Sequence, residues 1–102
     1  MIPAPDTTTV VDLIVRPTIA QRPDSAGWRL IAEQARTLPP GKALSLGMLG
    51  PRHKRTAMTR SVAVALLQAH GHRGYSGRDV TEHLGLRLCS RDGELLLGPL
   101  EG

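Results

Sequence analysis

The sequence predicts a single small α+β domain with its elements in the order β-α-β-α-α-β-β. Three patterns carry that prediction. Residues 42–48 and 86–97 alternate or run apolar over strand-length stretches, and Asp92-Gly93 inside the second is a strong hairpin signal. Residues 24–38 and 50–72 instead place apolar side chains at helical spacing. The chain has 102 residues, 40% of them hydrophobic, which is enough for one modest core and too apolar for a disordered chain.

Residues 1–6 read as a flexible N-terminal lead and residues 7–102 as the domain. Thr7 to Arg16 is a strand candidate, with Val11, Leu13 and Val15 on one face, and Arg16-Pro17 ends it. Asp24 or Ser25 caps a helix running to about Leu38. Trp28, Ile31, Ala35 and Leu38 form its apolar stripe, with Trp28 as a core anchor, and Arg29–Glu33 is an i,i+4 pair on its wet side. Leu38-Pro39-Pro40-Gly41 breaks it. Lys42 to Met48 is a strand with Leu44, Leu46 and Met48 on one face and the small residues Ala43, Ser45 and Gly47 on the other. Gly47-Met48-Leu49-Gly50 matches the GXXG pattern of KH domains, but that loop joins two helices and here a strand precedes it.

The chain is organised around residues 50–72, read as one helix that is basic at its start and buried at its end. Gly50 suits an N-cap and Pro51 the first helical position. Met58, Val62, Ala65 and Ala69 make the core stripe with Leu66 beside it, and Arg52, Thr56, Thr59 and Arg60 lie opposite. A glycine-rich turn, residues 70–75, leads to Ser76-Gly77-Arg78-Asp79, which has capping-box spacing. A short helix, Gly77 to Leu84, follows, with Gly85 as its C-cap. The first two strands are expected to share a sheet with the central helix packed on it, so that Leu13, Leu46, Val62 and Leu66 meet in the core.

Charge narrows the function. Net charge is +4, yet residues 34–78 contain no Asp or Glu and eight basic residues. The remainder carries five basic and nine acidic residues, so the positive charge is one-sided and favours polyanions as partners. The start of the central helix concentrates it in Arg52, His53, Lys54 and Arg55, where acids would normally complement the dipole. A bound anion reverses the unfavourable sign of that arrangement. The alternative is a helix that starts near Thr56, with residues 52–55 forming a solvated loop. With no Phe, one Tyr and one Trp, the chain lacks the aromatic platforms of RRM or OB-type single-strand binders.

Residues 65–71, Ala-Leu-Leu-Gln-Ala-His-Gly, and residues 74–86, Gly-Tyr-Ser-Gly-Arg-Asp-Val-Thr-Glu-His-Leu-Gly-Leu, resemble the first two helices of a winged helix-turn-helix domain. The Asp92-Gly93 hairpin sits where a wing would. The C-terminal half is thus partly winged-helix-like, a resemblance at the level of the fold that leaves groove reading by a helix either absent or assigned to the central helix. It departs from the family at Leu86–Ser90, which is too short and too strand-like for a recognition helix.

His70, His72, His83 and Cys89 are metal-ligand types, but their spacing fits no zinc module, so no metal or other cofactor is expected. No Walker-type loop or nucleophile–base set is placed by the sequence, and no enzymatic activity is expected. Cys89, flanked by Arg87 and Arg91, reads as a half-buried strand cysteine rather than a reactive thiol. As the sole cysteine it suits a reducing cytoplasm. No membrane-spanning stretch is present.

The expected function is that of a small basic nucleic-acid-binding or regulatory protein. Its phosphate contacts are assigned to Arg52, His53, Lys54, Arg55, Thr56 and Arg60, helped by Arg73 and Arg78. DNA is favoured over RNA as the partner. The alternative is a protein-interaction module, an inhibitor or adaptor, that docks on an acidic protein surface. Either reading leaves room for a homodimer.

Overall fold

The computed structural model describes residues 9–11 and 22–100. In chain order they form β1 (Thr9–Val11), α1 (Ser25–Arg36), β2 (Lys42–Met48), a 3₁₀ turn (Arg52–Lys54), α2 (Arg55–Ala69), α3 (Gly77–Leu84), β3 (Leu86–Arg91) and β4 (Glu94–Pro99). The domain is α+β. Its strands lie in the order β1-β2-β4-β3. β2, β4 and β3 pair antiparallel, and the short β1 runs parallel to β2, with Thr9 opposite Lys42. The expected Leu13 contact and the N-terminal lead lie outside the described residues.

Helix α1 begins where Asp24 accepts the backbone N–H of Gly27 at 2.8 Å. Trp28, Ile31, Ala32 and Ala35 bury its inner stripe. Its wet face departs from expectation. Glu33 pairs with Arg36 at 2.9 Å and not with Arg29. Arg29 instead donates to the Ala69 carbonyl at 3.2 Å, and Arg36 also donates to the Leu84 carbonyl at 3.1 Å. Both acceptors are last residues of helices, α2 and α3, where orphan carbonyls and the negative dipole end attract cations. Tertiary context thus outcompetes the local i,i+4 pair.

The central stretch is not one helix. Pro51 is extended (φ −53°, ψ 151°) and precedes a single 3₁₀ turn, closed by Lys54 N–H donating to the Pro51 carbonyl at 2.8 Å. The α-helix proper starts at Arg55 without a side-chain cap and without an acid in its first turn. Tightened 3₁₀ turns are common where a helix end lacks capping partners. Helix α2 then runs to Ala69 and buries Val62, Ala63, Leu66, Leu67 and Ala69. It packs on α1 and α3, while α1 is the helix that lies over β4, β2 and β3. The central helix is therefore not the sheet's direct cover, as the sequence had suggested. The core joins both layers: Val62 and Leu66 meet Leu44, Leu46, Leu95 and Leu97 in one buried cluster.

The sheet holds a second correction. The β2–β4 register slips between Ser45 and Gly47, a bulge centred on Leu46. The extra residue flips the alternation beyond it, so Met48 is 63% exposed and Leu49 is buried. Ser45 is fully buried, and its hydroxyl donates to Glu94 Oε2 at 2.7 Å. The β3–β4 hairpin closes through Asp92 and Gly93, both at positive φ (52° and 80°), the conformation that Asp-Gly favours in a tight turn.

Helix α3 has a complete capping box. Asp79 N–H donates to Ser76 Oγ at 3.2 Å, and the carboxylate of Asp79 accepts from the Ser76 N–H at 3.2 Å. Gly85 ends the helix in the left-handed region at φ 67°. The Tyr75 N–H, first of all, and then the Ser76 hydroxyl hold the Asp79 carboxyl below its ordinary value. Because the folded state binds this proton less tightly than the unfolded chain, the carboxylate stabilises the fold above about pH 4. That stabilisation fades as pH falls through the lower folded value. Ser76→Ala is expected to cost about 1 kcal/mol. Asp79→Asn is expected to flatten the acid limb of melting temperature against pH, a change that circular dichroism melts between neutral and acid pH would read.

Candidate nucleic-acid interface

The 3₁₀ turn and the first two turns of α2 carry the basic cluster. Arg52, His53 and Lys54 are exposed on the turn. Thr56 and Arg60 are exposed on the helix, one turn apart, and Arg55 is half-buried. Arg52, Lys54 and Arg60 make no ion pair with the described residues. The positive end of the α2 dipole points the same way, so backbone and side chains add to one positive potential there.

Arg55 reaches from the helix start to the hairpin turn. Its Nη2 lies so near Gly93 that a Cβ there would stand 3.2 Å away, and a side chain at Gly93 would press on the guanidinium. Its Nε is buried without a hydrogen-bond partner among the described residues. Leaving such a donor unpaired costs about 1–3 kcal/mol.

Beside Arg55 opens a pocket of about 270 Å³, lined by Arg55, Thr56, Arg60, Tyr75 and Ser90 among others. The Arg60 guanidinium stands over the Tyr75 ring, 5.7 Å from its centroid, within cation–π range. Tyr75 itself is 61% exposed. Two neighbouring hydroxyls are already engaged: Thr59 donates to the Arg55 carbonyl at 2.8 Å, and Ser76 donates to Asp79 at 3.0 Å.

No known family model, curated protein or solved structure matches the chain. The chemistry of the site therefore rests on its residues. The structure brings Arg55, Thr56 and Arg60 together around one pocket, with Arg52, His53 and Lys54 on the turn leading into it. Arg78 stands apart, since its Nε donates to Glu82 at 3.2 Å and the pair is exposed. Part of its charge is thereby neutralised locally. Arg73 is exposed on the loop before α3. Sequence reasoning missed Tyr75 and Ser90, because only the folded hairpin and the glycine-rich turn carry them to the helix start. The one available signal was a lone tyrosine beside Gly74 in the acid-free window.

The histidines take local roles. His70 Nδ1 lies 2.8 Å from the Leu66 carbonyl at the end of α2, and the rings of His72 and His83 stack with centroids 4.7 Å apart. No three His, Cys, Asp or Glu side chains gather as a metal site among the described residues. Cys89 is half-buried on β3, opposite Leu96. Cys89→Ser is expected to leave nucleic-acid affinity within error of wild type, as an anisotropy titration would show. A large loss in a folded variant would contradict that.

Proposed function

We propose that the protein binds nucleic acid through its phosphate backbone, with duplex DNA as the favoured partner. The observation that carries this reading is the clustering of Arg52, Lys54, Arg55 and Arg60 at an uncapped helix start, with no acid in the first turn. Exposed cations at the first turn that oppose the helix dipole are unfavourable alone, by roughly 0.3–1 kcal/mol each. They become favourable when a polyanion lies across them. Arg52, His53, Lys54 and Arg60 give phosphate contacts at the rim, and Arg55 and Thr56 give them at the pocket.

The winged-helix-like reading belongs to the same proposal. Helices α2 and α3 are joined by a short glycine-rich turn, and a tight hairpin follows α3 in the place of a wing. Because Leu86–Arg91 is a strand, no further helix stands between α3 and the hairpin. The exposed side of α3 carries the Arg78–Glu82 pair, whereas the start of α2 carries unpaired cations. On charge alone, α2 is the element that faces the phosphates.

Docking on an acidic protein is the competing function. No feature of the pocket favours it, and no helix of the described residues is long and apolar enough to cross a membrane. A fluorescence-anisotropy titration against random duplex DNA and RNA at two salt concentrations tests the proposal. Binding that weakens steeply with salt, and more tightly to DNA, is the expected result. Absence of binding to both at low salt would overturn it.

A further inference from the structure

The pocket between α2 and the hairpin offers more than a phosphate contact needs. Its volume of about 270 Å³ approaches the roughly 300 Å³ at which small-ligand sites begin. Its lining includes the half-buried Arg55. Thr56 and Ser90 present hydroxyls there that make no hydrogen bond with the described residues, unlike those of Thr59 and Ser76. The Tyr75 ring also lines it, 61% exposed, with the Arg60 guanidinium 5.7 Å from its centroid. The lining thus combines cationic donors, hydroxyl-bearing residues and an exposed aromatic, the groups that recognise the two halves of a nucleotide. Phosphate takes charge-assisted hydrogen bonds, and a base takes a π-platform.

We infer that this pocket receives one unpaired nucleotide, its phosphate held by Arg55, Thr56 and Ser90 and its base stacked on Tyr75. The inference rests on the nucleic-acid reading above and sharpens it. A continuous duplex keeps its bases inside the stack and presents only phosphates and groove edges. A bulge, an overhang or a flipped position offers a free base at lower unstacking cost. The protein therefore discriminates interrupted from continuous duplexes, although a single tyrosine cannot make it a general single-strand binder.

The test compares a blunt DNA duplex with the same duplex carrying one bulged adenosine, both followed by anisotropy at fixed salt. Wild-type protein is expected to prefer the bulged duplex on the order of tenfold, the size of one base–aromatic stack. Tyr75→Ala is expected to bring the two to equal affinity, and Tyr75→Phe, which keeps the ring, to retain the preference. Free deoxyadenosine monophosphate is expected to compete better than O-phosphoserine, which supplies the phosphate without the base. Equal affinity of wild type for the two duplexes overturns the inference and leaves backbone binding standing. A preference that survives Tyr75→Ala, or equal competition by the two monophosphates, overturns it as well. Binding to neither duplex overturns both readings.

Discussion

Leu66→Ala is expected to cost roughly 2–5 kcal/mol of folding stability, as large-to-small changes in closed cores do. Leu66 is fully buried at the point where the two layers meet, with α1, α3 and the sheet all contributing to its cluster. A hole there lies in a closed interior, and three packed elements limit how far the site collapses. Small domains hold only about 5–15 kcal/mol in total, so a shift of that size is visible in any denaturant or thermal melt. Leu66→Met, which nearly conserves volume, is expected to cost less than about 1.5 kcal/mol. An alanine variant with a wild-type melting curve would mean that α2 does not close the core.

Local chemistry explains which parts of this fold were legible in the sequence. The strand Lys42–Met48 and the helix Gly77–Leu84 form with the bounds predicted, because strand-forming residues, a capping box and a glycine C-cap all act within a few residues. The Asp92-Gly93 hairpin was legible for the same reason. Contacts made at long range were not legible. The bulge at Leu46, which exposes Met48, is set by pairing with Leu95 and Leu96 nearly fifty positions away in the chain. Arg29 leaves its expected pairing with Glu33 for a carbonyl at the end of α2, and Arg36 takes up Glu33 while also reaching a carbonyl at the end of α3. The basic cluster was visible as charge, and the α-helix start at Arg55 lies close to the alternative start near Thr56, but the 3₁₀ turn over Arg52–Lys54 was not legible. The pocket was invisible, since Tyr75 reaches it from the glycine-rich turn and Ser90 from strand β3.

Replacing Arg52, Lys54 and Arg60 together with Gln is expected to have the largest effect on function. All three are exposed, so the fold tolerates the change: relief of like charge at the helix start and loss of the Arg60–Tyr75 cation–π contact are small and opposite in sign. Arg55 stays, because its half-buried guanidinium packs against the hairpin turn. If each removed charge touches one phosphate, the log–log dependence of affinity on salt flattens by about 0.9 per contact on duplex DNA. Affinity then falls to a similar degree across sequences, since phosphate contacts carry no base information. The most direct measurement is that slope, taken on wild type and the triple variant with random duplex DNA, alongside a melting temperature for each. The proposed function predicts a slope shallower by roughly 3 units at a nearly unchanged melting temperature. An unchanged slope in a folded variant would contradict it.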